Sequence, residues 1–450
     1  MWLCLVGLEK MQDYFYTLAE QLTSLLQGEE IYTCAFNGEV SDFVRFNNAR
    51  VRQAGRVSQS AINVDLIEGR RHAAATLTLA GDLTLDRSRL YELVQDLREI
   101  RRYAPEDPFL LYATEICSSA KVYPNQLPES AEMTAQILAA GRDYDLVGCQ
   151  ASGLTYAGFA NSMGQRNWHS RHSFNIDWSL FLEADKAVKS RYADFTWNSE
   201  DFRLRVASAA QQLQILGRPA QTLKPGRYRA YLSPMALEDI IDLMSWGGFS
   251  LRDHRSGDTP LLRLAEKEAR LNPGVSISEN TAGGIAPDFE RAGFIRPPQV
   301  DLIKQGVFDT YLVSPRSAAE YGIAGNGADS AEAPLSVDMA PGVIPTAEAL
   351  VALDTGLFIG NLWYLNYSDR NAGRMTGMTR FATCWVQNGR LQAPVKVMRF
   401  DDTLYNLLGD GLLGLTSERE VLLDPGTYGG RSNRSARLPG VLVSNMQFTL

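Results

Sequence analysis

Residues 228–249 read Tyr228-Arg229-Ala230-Tyr231-Leu232-Ser233-Pro234-Met235-Ala236-Leu237-Glu238-Asp239-Ile240-Ile241-Asp242-Leu243-Met244-Ser245-Trp246-Gly247-Gly248-Phe249. The residues up to Leu232 suit a short strand. Ser233-Pro234 then starts a helix: a hydroxyl to accept an orphan amide, followed by a ring whose fixed φ fits the first turn. Leu237, Ile240, Ile241 and Met244 form one apolar helix face. Gly247-Gly248 stops the helix, because glycine enters the left-handed region without steric cost. Glu238, Asp239 and Asp242 are also carried on this helix, and no histidine occurs between His172 and His254.

Outward from this unit, 450 residues are too many for one ordinary core and predict two or three domains. A hydrophobic content of 45% with 21% charged residues fits a soluble globular chain. The net charge is −8, and the densest basic run, Arg98 to Arg102, contains Glu99 and reads as a helix end. Binding to nucleic acid by phosphate neutralisation is not expected. Five cysteines (Cys4, Cys34, Cys117, Cys149 and Cys384) are odd in number and widely spaced, which suits a reducing cytoplasm. Trp2 to Leu8 is apolar, but it lacks a basic flank and a cleavage site, so no secretory signal is expected, and Met11 is an alternative start. No run approaches the ~18 apolar residues of a membrane span.

Met11, Phe15, Leu18, Leu22 and Leu25 mark an amphipathic helix ended by Gly28. A strand meander follows from Ile31 to Leu79, with turns at Asn47-Asn48 and Glu68-Gly69. Asp86 is the expected N-cap of a helix carrying Leu90, Leu93, Val94, Leu97 and Ile100. This helix–meander–helix unit is the expected first domain, 11–103. Ala104 to Pro108 reads as a linker. A middle, strand-rich domain, 104–222, then has a short helix over Met133 to Ala140, strands from Leu146 to Phe195, and a helix capped by Ser199. The remainder, 223–450, alternates short strands with Gly/Pro turns and is expected as a β-rich domain. The fold class is α+β.

Several fragments, taken in order, carry a resemblance: Phe43-Val44-Arg45-Phe46-Asn47 and Val51-Arg52-Gln53-Ala54-Gly55; Gly158 to Gly164 and Ser173-Phe174-Asn175; Glu279-Asn280, Leu302 to Val307, Val386 to Leu391 and Pro394-Val395. Across nearly the whole chain this resembles the TldD/PmbA family, once described as modulators of DNA gyrase and read as metalloproteases. The resemblance implies that the helix of residues 234–245 matches one that carries His-Glu-x-x-x-His and holds zinc in catalytic members. Those members also have an acidic stretch ending in glycine, and a third zinc ligand, a cysteine, before an Asn-Gly turn. Here Phe289-Glu290-Arg291-Ala292-Gly293 stands at the acidic stretch. By count Arg380 stands at the cysteine's place, with Cys384 four residues later. A cation there would repel zinc. The chain therefore resembles the metal-free TldE/PmbA type.

The other candidate residues have plain readings. His169 and His172 are i, i+3 on a strand and point to opposite faces, so joint ligation would need a bulge. His254 falls in the charged loop Arg252-Asp253-His254-Arg255, and His72 at a turn after Arg70-Arg71. Asp239 and Asp242 are helix neighbours, expected on a solvated face. Asp401-Asp402 reads as an acidic turn before a helix at Leu404 to Leu408, capped by Asp402 or Thr403. Gln305-Gly306 and Asn388-Gly389 read as hairpin turns. Tyr428-Gly429-Gly430-Arg431-Ser432 is a Gly-rich loop with one cation, able to touch a carboxylate or a partner. No Gly-x-Ser-x-Gly elbow or Walker motif is present. Cys384, between Phe381 and Trp385 on an apolar strand, is expected to be structural.

The resulting expectation is a non-catalytic subunit, with no catalytic, cofactor-binding or metal-ligating residue of its own. It would work on unfolded peptides, in the cytoplasm, beside a TldD-like catalytic subunit that carries the zinc. The alternatives are a divergent metallopeptidase active by itself and a homodimeric peptide-binding protein without catalysis.

Overall fold

The computed structural model describes residues 8–183 and 186–449, so the readings on residues 1–7, Cys4 among them, lie outside it. Helix α1 (Leu8–Leu25) is followed by β1 (Ile31–Asn47), β2 (Arg50–Glu68), β3 (Arg71–Thr78) and helix α2 (Leu83–Tyr103). Then come β4 (Ser119–Val122), α3 (Ser130–Gly141), β5 (Asp145–Asn161), β6 (Arg166–Glu183), β7 (Lys186–Asp194) and α4 (Ser199–Leu216). All seven strands form one sheet in the order β3-β2-β1-β5-β6-β4, with β7 beside β6. Segments 11–103 and 104–222 are therefore not independent in their sheet. β1 pairs β5 from Thr33↔Asn161 to Phe46↔Gly148, a register set by contacts more than a hundred residues apart.

Helices α1 and α2 cover one end of this sheet. Phe15, Leu18 and Leu22 of α1 pack with Phe36, Ile62, Val64 and with Leu90, Val94 and Leu97 of α2, and the Phe15 and Phe36 rings stack at 4.8 Å. Ile100, expected on the buried face of α2, is 58% exposed. Arg98 and Arg101 take the inward position instead. Both are buried on Glu30, with Nε of Arg98 at 2.7 Å and Nη2 of Arg101 at 2.8 Å from Oε1. The N-cap of α2 is Asp82, whose side chain accepts the Thr84 and Leu85 amides. Asp86, expected there, is fully buried and accepts the Tyr14 hydroxyl and the Ala80 and Gly81 amides. In α4 the cap is Asn198 rather than Ser199.

The second sheet comprises β8 (Gly226–Leu232), β9 (Ile277–Glu279), β10 (Val300–Lys304), β11 (Val307–Phe308), β12 (Ser336–Met339) and β13 (Gly356–Asp369). It is completed by β14 (Arg374–Gln387), β15 (Arg390–Pro394), β16 (Arg399–Thr403), β17 (Leu412–Leu423) and β18 (Ser435–Phe448). Its order is β11-β10-β9-β12-β18-β16-β14-β13-β8, with β15 beside β14 and β17 beside β18, and β18 also pairs β8. Hairpin turns fall where glycine predicts them: Gln305 and Gly306 have φ of 48° and 76°, Asn388 and Gly389 50° and 70°. β14 and β15 of the second sheet also meet α4 of the middle segment. Ala382 and Cys384 of β14 share a core with Val206 and Leu213 of α4.

Between β8 and the rest lies α5 (Pro234–Ser245), as its sequence predicts. Ser233 Oγ accepts the Ala236 amide, Pro234 opens the first turn, and Gly247 follows at φ 77°. Leu237, Ile240, Ile241 and Met244 are at most 1% exposed. At about 2 kcal/mol of transfer free energy each, an upper limit, these four side chains anchor α5 firmly on the sheet. No helix among the described residues is long and apolar enough to cross a membrane.

Candidate functional site

Burial of one face of α5 turns its acidic residues toward the first sheet. Glu238, Asp239 and Asp242 line a cavity of about 130 Å³, together with Arg191 of β7, Arg434, and Asp424 from the loop between β17 and β18. The expected solvated face is only partly found. Glu238 is buried, Asp239 is half-buried, and Asp242 is exposed and meets Arg434 at 3.3 Å. Glu238 accepts a hydrogen bond from Nη1 of Arg191, whose Nε reaches Asp177 Oδ2 at 3.2 Å; Lys189 Nζ lies 3.3 Å from the same oxygen. Burial pushes the Glu238 carboxyl up to about 8, with Arg191 pulling it down and the two neighbouring aspartates adding to the rise. Burial likewise raises Asp239 to about 6, against the pull of Arg191 and the Leu362 amide.

This arrangement does not fit a zinc ion. The helix offers no imidazole, its innermost carboxyl group is already engaged by a guanidinium, and a second cation, Arg434, stands at the mouth. Arg380 lies on β14 opposite Asn361 of β13 and stacks on the Trp363 ring at 3.9 Å. Cys384 lies further along β14, opposite Phe358, and is fully buried among apolar side chains. Burial pushes its thiol up to about 12, which keeps it protonated and inert. Among the described residues no three His, Cys, Asp or Glu side chains converge to hold a metal.

The remaining candidates are dispersed. His169 is buried on β6 beside Tyr123, its ring nitrogens find no hydrogen-bond partner among the described residues, and burial lowers it to about 4. His172, on the opposite face of β6, is also lowered by burial, with Arg431 adding to the effect. His254 lies in a short helix, Leu251–Ser256, rather than a loop. Its Nε2 is 2.8 Å from the Gly248 carbonyl and its ring lies against Phe308 and Tyr311. His72 is not simply solvated: its Nδ1 is 3.0 Å from Asp65, which raises its pKa. Glu290, in the stretch that matches the family's acidic segment, is buried and caps its own turn by accepting the Ala292 and Phe294 amides.

Asp401 and Asp402 sit in β16 rather than in a turn. Asp401 pairs with Arg374 at 3.0 Å, and Asp402 is buried and accepts from Asn406 Nδ2 and the Gln447 amide. Thr403 provides the cap, accepting the Asn406 amide at 3.1 Å. The Gly-rich loop at 428–432 crosses to the first sheet. Gln59 Nε2 donates to the Gly429 carbonyl, the Arg431 amide to Glu39, and the Arg431 guanidinium to Ser173 and to the Gly153 carbonyl. Arg191 and Arg434 are the site residues that sequence reasoning missed. Nothing local marks them, since Arg191 meets Glu238 only through a contact 47 residues away.

The family described as PmbA/TldA metallopeptidase C-terminal domain matches residues 225–450, from β8 through β18. Three solved structures share the whole architecture at low identity. One is TldE from Thermococcus kodakarensis (TM-score 0.75, 13% identity, covering 97% of this chain and 100% of that one). Another, from Bacteroides thetaiotaomicron, is described as a modulator of DNA gyrase (TM-score 0.74, 13% identity, 99% and 100% covered). The third, from Thermotoga maritima, is described as a modulator of a DNA gyrase (TM-score 0.71, 14% identity, 98% and 100% covered). No curated protein matches the chain. With more than half of its length matched by the family model and its whole fold shared with these structures, the chain belongs to the PmbA/TldD family.

Proposed function

We propose that this chain is the non-catalytic, TldE-like subunit of a TldD/TldE-type metalloprotease that acts on unfolded peptides. The observation that carries this reading is the Glu238–Arg191 pair, which occupies the side of the helix turned toward the first sheet, where catalytic relatives are expected to present histidines. A zinc peptidase needs an ion that polarises the scissile carbonyl and lowers the pKa of its bound water, with a base beside it. A guanidinium at that point works against any such ion, so the zinc and the base would come from a TldD-like partner. This chain's part is to stabilise the assembly and to wall the cavity through which an extended peptide reaches the partner's centre. A cytoplasmic setting agrees with the four described cysteines, all of them free.

The test combines two measurements. Metal analysis after dialysis against excess zinc should find no stoichiometric zinc in the purified chain. Mixing the chain with a paralogue carrying His-Glu-x-x-x-His should give a complex that cleaves an unstructured peptide, while this chain alone does not. One tightly held zinc per chain, lost on changing His169 or His172, would favour a self-sufficient peptidase. A stable homodimer that binds peptide and ignores the paralogue would favour a binding protein instead.

A further inference from the structure

The first sheet is one strand short along half of an edge. β3 pairs with β2 only from Ala61↔Thr78 to Glu68↔Arg71, and beyond Thr78 the chain turns away into α2. Residues Arg50 to Gln59 of β2, apart from the bulged Arg52, are paired on the β1 side alone, which leaves an edge roughly 30 Å long. The Leu79 amide donates to the Ser60 carbonyl, so Ser60 directs its backbone groups toward the missing strand. By the alternation of an antiparallel ladder, Ser58, Arg56 and Ala54 direct theirs the same way. Residues 50–56 are all exposed.

Charge and shape distinguish this edge from the rest of an acidic protein. Residues 50–59 carry Arg50, Arg52 and Arg56 and no acid, and Arg45 of β1 is exposed beside them. Asp42 faces Arg56 in the β1 register, yet none of these four arginines forms a salt bridge among the described residues. Two cavities flank the edge. One, about 280 Å³, is lined by Phe43, Arg45, Gln53, Val57, Cys149 and Thr427 among others. The other, about 350 Å³, lies where β3 ends, between Glu39, Gln59, Thr78, Tyr156 and the Gly429–Arg431 loop. A strand added to an open edge takes its affinity from main-chain hydrogen bonds and its selectivity from such side-chain cavities.

We propose that the unpaired edge of β2 between Arg50 and Gln59 takes up an extended, acidic peptide segment as an added strand. A second copy of this chain is disfavoured there, because two such edges would bring arginine against arginine, a common guard against self-pairing. The occupant's identity as a protease substrate rests on the proposed function, but its binding by this chain does not. Peptide binding by the isolated chain without cleavage by the mixture would remove the proposed function and leave the edge site standing. Cleavage by the mixture without edge binding would do the reverse.

The experiment measures fluorescence anisotropy of a dye-labelled, proline-free peptide that alternates glutamate with valine, titrated with the full chain. The acidic peptide should bind about tenfold or more tightly than its lysine counterpart, and the difference should shrink on raising salt from about 0.05 to 0.5 M. N-methylation of alternate peptide residues should weaken binding at least about tenfold, since each methyl removes a ladder donor. Ser58→Pro should do the same without lowering the melting temperature, because the Ser58 N–H bonds nothing within the sheet. Arg52→Glu with Arg56→Glu should reverse the charge preference. Equal affinity for both peptides, binding indifferent to N-methylation, or no binding at about millimolar peptide would overturn the proposal. If Ser58→Pro fails to fold, the N-methylated peptide decides the question alone.

Discussion

Replacing Arg191 by methionine isolates the consequence of burying Glu238 beside a single cation. In the native protein the Glu238 side chain is 10% exposed and its carboxyl stands at about 8, well above the ordinary 4.5. The folded state therefore holds a proton that the unfolded state has released, and this group's contribution to stability falls as pH rises from about 4.5 to 8, then levels off. Arg191→Met removes the cation that holds the carboxyl down, so its pKa climbs further and the decline continues beyond pH 8. In an Asp239→Asn background, which removes the other carboxyl that Arg191 holds down, Glu238 is neutral at about pH 6.5 with or without Arg191, and the variant should lose only hydrogen bonds, about 1–3 kcal/mol. At about pH 9.5 a further 1.5 units of unfavourable ionisation, at about 1.4 kcal/mol each, adds about 2 kcal/mol. Asp177 keeps Lys189 at 3.3 Å, so it contributes little to the difference. Urea midpoints read by tryptophan fluorescence at the two pH values give both numbers. An equal loss at both would refute the reasoning, and Arg191→Met with Glu238→Gln should abolish the extra alkaline loss.

Two further expectations concern packing and capping. Cys384→Ala should lower stability by on the order of 1 kcal/mol and leave partner-dependent peptidase activity intact; a loss of activity above about tenfold in a folded, assembled protein would give the thiol a chemical role. Asp82→Ala should cost about 1 kcal/mol, as a lost helix cap does, whereas Asp86→Ala should cost about 3 kcal/mol because it removes a fully buried carboxyl group that holds the Tyr14 hydroxyl and the Ala80 and Gly81 amides together. Chemical denaturation of both variants checks the ranking, and an Asp86→Ala loss no larger than that of Asp82→Ala would refute the buried-acceptor role of Asp86.

Elements framed by local chemistry were legible in the sequence, and those framed by distant contacts were not. Ser233-Pro234 and Gly247 bracket α5 within a few residues, so its position and buried face could be read directly. The cap of α2 was misplaced by four residues because Asp82 and Asp86 both precede apolar runs; the Tyr14 hydroxyl, 72 residues away, is the distant partner that marks Asp86 as a buried acceptor. Ile100 fits the apolar period of α2, but Glu30 draws Arg98 and Arg101 inward and rotates Ile100 out. The missing zinc ligands could be recognised from residue types alone. What replaced them could not, because Arg191 lies on another sheet. The sharing of one sheet by the first and middle segments depends on the β1–β5 pairing, which no local pattern announces.

Strand β18 bonds to β12, β16, β17 and β8, and so joins the last strand of the second sheet to its first. Gly226 and Phe448 are direct partners in that pairing. During synthesis β8 and α5 therefore emerge long before the strand that seats them, and the apolar face of α5 must wait with its sheet incomplete. Folding of this half is bound to be late and of high contact order, with unpaired strand edges exposed in the interval. Loss of the residues that form β18 would open the sheet at its hub rather than trim its rim. In a cell, the yield of this protein should depend on chaperone supply and translation rate more than its finished stability suggests.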